Sequence, residues 1–344
     1  MTPKSDKPRL GSKPTQSRIG RLTGVRIAGV GGYVPEKLVL NEDLAEMGFD
    51  AEWIVQRTGI HERRHTEPGV GTNQLALEAA KRCIEDAAVS PEEIDLVIVA
   101  TVTPSHLLPS TASFLQEELG LVAGTFDLNS ACAGFGYAII TGSQFIATGS
   151  SKCVLVVGAD CSSRFSPPED RNYPLFGDGA GAVILKPGTE EQGLLGFAFG
   201  SDGSGRPYLY RPMGGSEMPF SPEGFAEGFH YLKMEGRAVF KWAVRTLETS
   251  VRQVLERAEV PLEDVNWCAF HQANMRIIDS AASSLGIGSE RVVCNLAKYG
   301  NTTAASIPLI LDELNRANKI KDGDLVLMSG FGAGLTWATM LMRW

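Results

Sequence analysis

The stretch Asn129-Ser130-Ala131-Cys132-Ala133-Gly134-Phe135-Gly136 opens a segment that carries no charged residue as far as residue 149. The segment is apolar nearly all round, which predicts a helix over 133–149 that is buried in the core. Cys132 then lies at the N-terminus of this helix, where free backbone N–H groups and the macrodipole favour a thiolate. Cys132 is therefore a candidate nucleophile.

Two distant segments contain the groups that such a nucleophile needs. His271 directly follows the apolar run 267–270, and Asn301 follows Gly300. A thiol can hold an acyl group, while an imidazole and a carboxamide can stabilise oxyanion charge. Taken singly, a core cysteine, a histidine at a strand end and an asparagine in a turn are all ordinary. The three together predict an enzyme that handles thioesters.

The chain also contains an internal repeat. Residues 89–96 resemble residues 260–267, and the apolar run 154–157 resembles 325–328, both at an offset of 171 residues. Adding this offset to Cys132 gives position 303, two residues from Asn301. A pseudo-two-fold axis would therefore bring Cys132 and Asn301 together.

Within each half, helical patterns alternate with short apolar strands. The clearest helices are 72–88 and 237–259, and the clearest strands are 95–100 and 266–270. This alternation predicts an α/β fold layered around largely parallel sheets. We expect a basic, disordered tail over 1–21, an N-terminal half over 22–190 that carries the cysteine, and a C-terminal half over 191–344 that carries the histidine and asparagine.

Composition excludes several classes of protein. The chain has 344 residues and a formal net charge of −8, which argues against nucleic acid as the main partner. No apolar run approaches the roughly 18 residues that suggest a membrane span. Six cysteines without metal-binding spacing favour a reducing cytoplasm. The tail contains no apolar segment of the kind found in secretory signals.

Two other motifs have plainer interpretations. His61-Glu62-Arg63-Arg64-His65 matches a zinc-binding pattern, but that chemistry needs a helix, and Gly59 and Pro68 favour a strand or turn. Gly29-Val30-Gly31-Gly32 is similar to a dinucleotide-binding loop, but Pro35 stands where the helix should begin. We therefore predict a turn there, and no metal site and no cofactor.

The chain resembles the beta-ketoacyl-acyl-carrier-protein synthase III family of thiolase-like condensing enzymes over residues ~22–344. The segments that carry the resemblance occur in the family's order: Glu52–Ile60, Asn129–Gly136, Phe176–Ala182, His271–Asn274, Gly300–Ser306 and Phe331–Trp337. The resemblance implies two pseudo-symmetric halves in an α-β-α-β-α arrangement.

The activity that the resemblance implies is a decarboxylative Claisen condensation. An acyl group would move from acyl-CoA to Cys132, and malonyl-acyl-carrier protein would then lose carbon dioxide. His271 and Asn301 would stabilise the enolate, which attacks the acyl-cysteine and gives 3-oxoacyl-carrier protein. The backbone N–H groups of Cys132 and Ala333 would form a second oxyanion hole. The family often has three glycines where this chain has Gly332-Ala333-Gly334.

Other expected site residues also come from matching family positions. The CoA contacts would be Trp53, Arg57, Thr58, Arg171 and Asn274. An acidic carrier protein would dock on Arg276, Lys241 and Arg237, because a chain with a net negative charge needs a local basic face for it. Leu108 matches a position that reaches the acyl pocket of the partner subunit in a homodimer.

Several alternatives remain open from the sequence. A related synthase for polyketide starters or secondary metabolites would use the same three residues. An elongating ketoacyl synthase would be expected to have histidine in place of Asn301. A catalytically silent thiolase-fold protein would not need all three groups.

Overall fold

The computed structural model describes residues 16–344, so residues 1–15 of the expected tail lie outside the described part of the chain. The strands are β1 (Arg18–Thr23), β2 (Val25–Tyr33), β3 (Leu38–Leu40), β4 (Glu62–Arg64), β5 (Leu96–Ala100), β6 (Gly124–Leu128), β7 (Val154–Cys161), β8 (Asp178–Pro187), β9 (Gly193–Ser201), β10 (Leu209–Tyr210), β11 (Lys233–Met234), β12 (Trp267–Phe270), β13 (Leu325–Gly332) and β14 (Thr336–Arg343). The helices are α1 (Ala51–Thr58), α2 (Thr72–Ala87), α3 (Thr111–Glu118), α4 (Gly134–Ala147), α5 (Pro222–Ala226), α6 (Gly236–Ala258), α7 (Met275–Leu285), α8 (Leu296–Tyr299) and α9 (Ser306–Arg316).

Two five-stranded mixed sheets form the framework. Their strand orders are β2-β8-β7-β5-β6 and β1-β9-β14-β13-β12. The central strands are parallel to one neighbour and antiparallel to the other, since β7 pairs parallel with β5 and antiparallel with β8. The second sheet repeats this arrangement with β13, β12 and β14. The sheets are therefore mixed, not largely parallel as expected.

Three hydrophobic clusters show how the layers stack. The central cluster combines α4 and α9 with one face of each sheet. A second cluster packs α6 and α7 on the outer face of the β13 sheet, and a third packs α2 and α3 on the outer face of the β7 sheet. This is the α-β-α-β-α arrangement that the resemblance implies. The uncharged α4 lies in the middle layer, which explains its lack of a polar face.

The two halves repeat each other with a small change of offset. Val154 and Val156 face the central cluster, and so do Val326 and Met328. Because side chains alternate along a strand, these pairs match at an offset of 172. The starts of α4 and α9, residues 134 and 306, give the same value. The structural match of Cys132 is therefore Ala304, one residue beyond the position expected from the sequence.

Two segments differ from the sequence expectations. Residues 18–21, expected in a disordered tail, belong to β1, which pairs antiparallel with β9 in the second sheet. Gly29-Val30-Gly31-Gly32 lies within β2 and is not a turn. A Cβ at Gly31 would meet backbone atoms of Ala79 and Cys83, so these glycines allow β2 to pack closely against α2. Within the described residues, no helix is long and apolar enough to cross a membrane.

Candidate active site

Cys132 lies at the junction of a short 3-10 turn and a buried helix. The turn, Ala131–Ala133, leads directly into α4, which confirms the predicted helix start. Ala131 has a φ of 48°, in the left-handed region that non-glycine residues rarely adopt. This sharp entry places Cys132 at the end of α4, and the residue as a whole is half-buried.

The thiol is not poised as a thiolate, contrary to the sequence expectation. Burial raises the pKa of Cys132 to about 12, and the nearby carboxylate of Asp160 raises it further. A hydrogen bond from the residue's own backbone N–H favours the thiolate but does not offset these effects. In the resting protein the sulfur is therefore protonated, because desolvation outweighs the helix terminus.

His271 is buried at the end of β12 and is held on two sides. Its backbone N–H donates to Ser329 O at 2.8 Å, and its Nδ1 lies 3.0 Å from Ser306 Oγ. Its ring packs edge-on against Phe331, with the centroids 5.2 Å apart. Burial lowers the pKa of His271 to about 3, so the imidazole is neutral at physiological pH. A neutral ring can donate one hydrogen bond.

Asn301 is held by its backbone while its amide group is oriented by a neighbour. Its N–H donates to Leu175 O at 2.8 Å, and its carbonyl accepts from Gly177 N at 3.1 Å. The side-chain Oδ1 accepts from Thr303 N at 2.9 Å. With Oδ1 engaged in this way, Asn301 retains its Nδ2 hydrogens as donors.

Two cavities meet at these residues. The larger has a volume of about 460 Å³ and is lined by Cys132, Asn301 and Ala333 together with apolar side chains such as Phe165 and Leu209. The smaller has about 150 Å³, and Cys132, His271 and Asn301 all line it. The structure therefore brings the three predicted groups to one site.

The end of β13 packs against the backbone of Cys132. A Cβ at Gly332 would lie 2.7 Å from Cys132 N, and one at Gly330 would lie 2.9 Å from Cys132 O. Glycine is thus needed at both positions for this close approach. Ala333 follows and lines the larger cavity together with Cys132.

The residues expected to contact CoA lie in α1, at position 171 and at the start of α7. Trp53 and Arg171 line a cavity of about 390 Å³ at the start of α1. Asn274 lines the smaller cavity and donates through Nδ2 to the backbone oxygen of Arg57. Thr58 is buried, and its hydroxyl donates to Ile54 O at 2.7 Å and accepts from Ile60 N at 3.0 Å. Thr58 therefore stabilises the end of α1.

The residues expected to dock a carrier protein lie on neighbouring helices. Arg237 and Lys241 are exposed in the first two turns of α6. Arg276 is exposed in α7, and its Nη2 donates to Gln56 O at 2.9 Å, which links α7 to α1. Leu108 is 87% exposed in the loop before α3 and does not line the cavities beside Cys132.

Two functional candidates were not assigned a role from the sequence. Ser306 contacts the ring of His271, and Asp160 is a fully buried carboxylate next to Cys132 and Thr303. The sequence could have indicated Asp160, because it is the one acidic residue in the apolar strand 154–161. Nothing in the sequence pairs Ser306 with His271, because the two residues are 35 positions apart.

The histidine pair of the zinc-like motif flanks a strand. Residues 62–64 form β4, which confirms the predicted strand or turn. His65 lies 3.1 Å from Phe176 O, and within residues 16–344 no cluster of metal-ligating side chains is found.

Comparison with known proteins gives a consistent family assignment. The family model described as 3-oxoacyl-[acyl-carrier-protein] synthase III matches residues 126–203, and the model of its C-terminal part matches residues 255–344. The beta-ketoacyl-[acyl-carrier-protein] synthase III of Rhodopirellula baltica is 52% identical over 345 residues, which cover 95% of this chain and 100% of the relative.

Solved structures agree with this assignment. The crystal structure of 3-oxoacyl-[acyl-carrier-protein] synthase III from Aquifex aeolicus VF5 matches with a TM-score of 0.86 and 41% identity, covering 93% of this chain and 100% of that one. The priming beta-ketosynthase of the R1128 polyketide pathway matches with a TM-score of 0.86 and 36% identity, covering 95% and 98%. The predicted thiolase-like fold is thereby confirmed, and the chain belongs to the beta-ketoacyl-[acyl-carrier-protein] synthase III family of acyltransferases.

Proposed function

We propose that the protein joins an acyl-CoA starter to malonyl-acyl-carrier protein through an acyl-Cys132 intermediate. The main support is that Cys132, His271 and Asn301 line one cavity although they come from three distant segments of the chain. In the first step the Cys132 sulfur attacks the carbonyl carbon of the starter thioester, the bond from that carbon to the CoA sulfur breaks, and the proton lost by Cys132 is gained by the CoA sulfur, which leaves as the thiol. The backbone N–H groups of Cys132 and Ala333 stabilise the oxyanion.

The second step requires hydrogen-bond donors and not a charged acid. Malonyl thioester loses carbon dioxide, and the electron pair of the broken C–C bond forms an enolate. Neutral His271 and the Nδ2 group of Asn301 each donate to the enolate oxygen. The enolate carbon then attacks the acyl-Cys132 carbonyl and expels the sulfur. Support comes from the low pKa of His271 and from the oriented amide of Asn301.

Cys132 lines both cavities, so two substrates could reach it one after the other. We infer that the mostly apolar larger cavity receives the acyl chain. The smaller cavity, which contains His271, receives the thioester of each substrate by way of the CoA residues Trp53, Arg57, Arg171 and Asn274. Arg276, Lys241 and Arg237 receive the acidic carrier protein, and the active unit is a homodimer to which Leu108 contributes across the interface.

Labelling tests the first step directly. Incubation with radiolabelled acetyl-CoA, followed by peptide mapping, should place the label on Cys132. Cys294→Ser is the matched control, because Cys294 is exposed and should be dispensable. A Cys132→Ser variant that still forms a stable thioester would contradict the scheme.

A second candidate is a priming synthase of a polyketide pathway. It is favoured by the 36% identity to the R1128 priming ketosynthase over nearly the whole chain. A panel of acyl-CoA starters, tested with fatty-acid and polyketide carrier proteins and scored by product mass, separates the two. Preference for acetyl-CoA with the fatty-acid carrier supports the first candidate, and preference for the polyketide carrier supports the second.

A further inference from the structure

Asp160 is a fully buried carboxylate that the proposed reaction does not use. It lies near the end of β7, and its Oδ1 accepts hydrogen bonds from Thr101 Oγ1 at 3.0 Å, Val102 N at 2.8 Å, and Thr103 N and Oγ1 at 3.1 and 2.8 Å. Its Oδ2 contacts Thr303 Oγ1 and accepts from Ala304 N at 3.3 Å. Asp160 therefore joins the loop after β5 to the segment that carries Asn301.

The donors on the Asn301 side belong to a copy of the Cys132 turn. The 3-10 turn Thr303–Ala305 precedes α9 as Ala131–Ala133 precedes α4. Thr303 has a φ of 51° where its match, Ala131, has 48°. At the offset of 172 residues, Ala304 N–H corresponds to the N–H of Cys132. The molecule thus contains two similar helix N-termini with similar backbone geometry.

The strands that face these two turns also correspond, but with one decisive difference. Gly158 packs so closely against Ala304 O that a Cβ there would overlap it, and Gly330 packs against Cys132 O in the same way. Two residues further along each strand stand Asp160 and Gly332. Gly332 has no side chain, and its backbone lies so close to Cys132 N that an added Cβ would come within 2.7 Å. At the matching position Asp160 has a side chain, and its carboxylate accepts the Ala304 N–H at 3.3 Å.

We propose that Asp160 is a built-in anion that occupies the pseudo-symmetric counterpart of the acyl oxyanion site and positions Asn301 for condensation. The inference rests on the proposed function, since it assigns a partner to Asn301. The route runs from Asp160 through Thr303 to Asn301, because Thr303 N donates to Asn301 Oδ1 at 2.9 Å. Asp160 is a positioning residue and touches no substrate.

The position of Asp160 has two separable consequences. By holding Thr303 in the left-handed region, it keeps the Nδ2 donors of Asn301 directed at the substrate. Burial raises the pKa of Asp160, while hydrogen bonds from Thr303, Val102, Thr103 and Thr101 lower it. Its Oδ1 accepts backbone N–H groups from Val102 and Thr103 and its Oδ2 accepts one from Ala304, so acceptors are required on both oxygens, as an ionised carboxylate provides. In this form its negative charge also raises the pKa of Cys132 and so disfavours the thiolate. Removing the charge should therefore slow condensation but make the Cys132 sulfur more reactive. Loss of structure alone would not change the two steps in opposite directions.

The test is the Asp160→Asn variant, which keeps the size of the side chain. Its amide can accept hydrogen bonds on one side only, so either residues 101–103 or residues 303–304 lose their acceptor. We expect iodoacetamide to alkylate Cys132 about tenfold faster at pH 8, because removing the neighbouring charge lowers the pKa of the thiol. We expect condensation, measured on pre-acylated enzyme with malonyl-acyl-carrier protein, to slow by about tenfold or more.

Asp127→Asn is the matched control. The Asp127 carboxylate also accepts two backbone N–H groups, from Thr111 and Ala112, but contacts neither Thr303 nor Ala304. This control should keep the parental alkylation profile. A folded Asp160→Asn variant with parental rates, or with both rates lowered together, would overturn the proposal.

A second variant covers the case in which Asp160→Asn does not fold. Thr303→Val keeps the shape of the side chain and removes the hydroxyl that contacts Asp160. Slower condensation with unchanged alkylation supports the route through Thr303, and unchanged condensation overturns it. If acetyl-CoA leaves no label on Cys132 of the parent, the proposed function fails, but the alkylation comparison still measures the effect of the Asp160 charge.

Discussion

Cys132 combines a helix N-terminus, which favours the thiolate, with burial and a neighbouring carboxylate, which oppose it. The pKa of about 12 means that the neutral thiol is the resting form. Below that pH the thiolate fraction rises tenfold for each pH unit. We therefore predict that the rate of Cys132 alkylation by iodoacetamide increases about 100-fold between pH 7 and pH 9, without a plateau. Rates followed by mass spectrometry of the Cys132 peptide check this.

The alkylation rate of Cys294, measured in the same sample, is the comparison for Cys132, because Cys294 is an exposed cysteine. A plateau in the Cys132 rate near neutral pH would show that the helix terminus outweighs burial after all.

The tautomer of His271 depends on Ser306. A neutral imidazole has one N–H, so donation from Nε2 to the enolate oxygen requires Nδ1 to accept. Ser306 Oγ lies 3.0 Å from His271 Nδ1 and 2.9 Å from Thr303 O, and its single hydrogen can serve either acceptor. Donation to Nδ1 leaves the His271 hydrogen on Nε2, where the reaction needs it.

We predict that Ser306→Ala lowers the kcat of condensation by about tenfold and changes acylation of Cys132 far less. Ser306→Thr, which keeps the hydroxyl, should retain most of the activity. The ¹⁵N chemical shifts of the His271 ring report the tautomer directly. Ser250→Ala is the control for deleting a buried hydroxyl, because Ser250 bonds Thr339 and Leu247 and not His271. Equal effects of the two alanine variants would remove the role of Ser306.

The chemistry of the site could be predicted at the level of residue types but not of hydrogen-bond partners. Cys132, His271 and Asn301 can be identified because reactive groups stand in apolar or glycine-rich segments. The contact between Asp160 and Thr303 spans 143 residues and depends on the positive φ of Thr303. Nothing in the local sequence at Thr303 indicates that conformation, since threonine rarely adopts it. The sequence indicates the helix terminus that favours a thiolate at Cys132, but not the burial that raises its pKa, because burial is a property of the folded molecule.

At the scale of elements, the packing of the end of β13 against Cys132 depends on the absence of a side chain at Gly332. An added Cβ would lie 2.7 Å from Cys132 N and 3.0 Å from Cys132 Cβ, distances that real Cβ atoms do not tolerate without movement. We predict that Gly332→Ala lowers acyl transfer to Cys132 by about 100-fold or more, because it displaces an oxyanion donor. Single-turnover acylation measures this.

The control for Gly332→Ala is Gly203→Ala, since a Cβ at Gly203 meets nothing within 4 Å. That variant should keep the parental rate. Normal acylation by Gly332→Ala would show that the end of β13 can move away from Cys132 without cost.

The first turns of α6 present a basic face. Arg237, Lys241 and Arg245 follow each other at intervals of four residues, are all exposed, and form no ion pair within residues 16–344. We predict that Lys241→Glu raises the KM for malonyl-acyl-carrier protein by about tenfold and leaves the KM for acyl-CoA unchanged, because only the carrier protein is a large anion. Steady-state kinetics at two salt concentrations check this.

Arg252→Glu is the matched control on the same helix, since Arg252 pairs with Glu248 at 3.3 Å and lies three turns further on. A substitution at Arg276 tests docking less directly. Its hydrogen bond to Gln56 O also supports α1, so the substitution would disturb the residues expected to contact CoA. If Arg252→Glu and Lys241→Glu had the same effect, docking on the start of α6 would be excluded.

Element boundaries follow closely from sequence patterns, while the environment of glycines does not. The expected helices 72–88 and 237–259 are observed as Thr72–Ala87 and Gly236–Ala258. The glycines of β2 predict a turn from sequence because glycine is common in turns. Their actual role is to let a strand approach a helix, and that role depends on α2, whose residues begin about 40 positions later.

At the scale of the molecule, duplication explains why the site uses both halves. Each half supplies one turn and helix to the central layer and one strand that packs on the other half's turn, as Gly158 does on Ala304 and Gly330 on Cys132. The repeat is visible in the sequence, but its offset changes from 171 to 172 between β12 and α9. The inward-facing side chains of β7 and β13 and the starts of α4 and α9 reveal the change.

The edge of the first sheet is the expected dimer interface. β6 is an outermost strand of this sheet; Leu107 and Leu108, in the loop before α3, and Val122, just before β6, are 79%, 87% and 85% exposed. Exposed leucines next to an open strand edge favour pairing with a second copy of the chain. We therefore expect a homodimer in which the loop carrying Leu108 reaches the neighbouring subunit.

We predict that the double variant Leu107→Asp, Leu108→Asp sediments as a monomer at micromolar concentration, because two carboxylates would have to be buried at the interface. Leu38→Asp with Leu40→Asp is the control, since these leucines are also exposed, at 41% and 37%, but lie on β3 outside the sheet edge. The control should remain dimeric. The monomeric variant should also lose discrimination among acyl-CoA chain lengths, since Leu108 would no longer close the partner's larger cavity. A parent that sediments as an active monomer would exclude both the interface and the shared cavity.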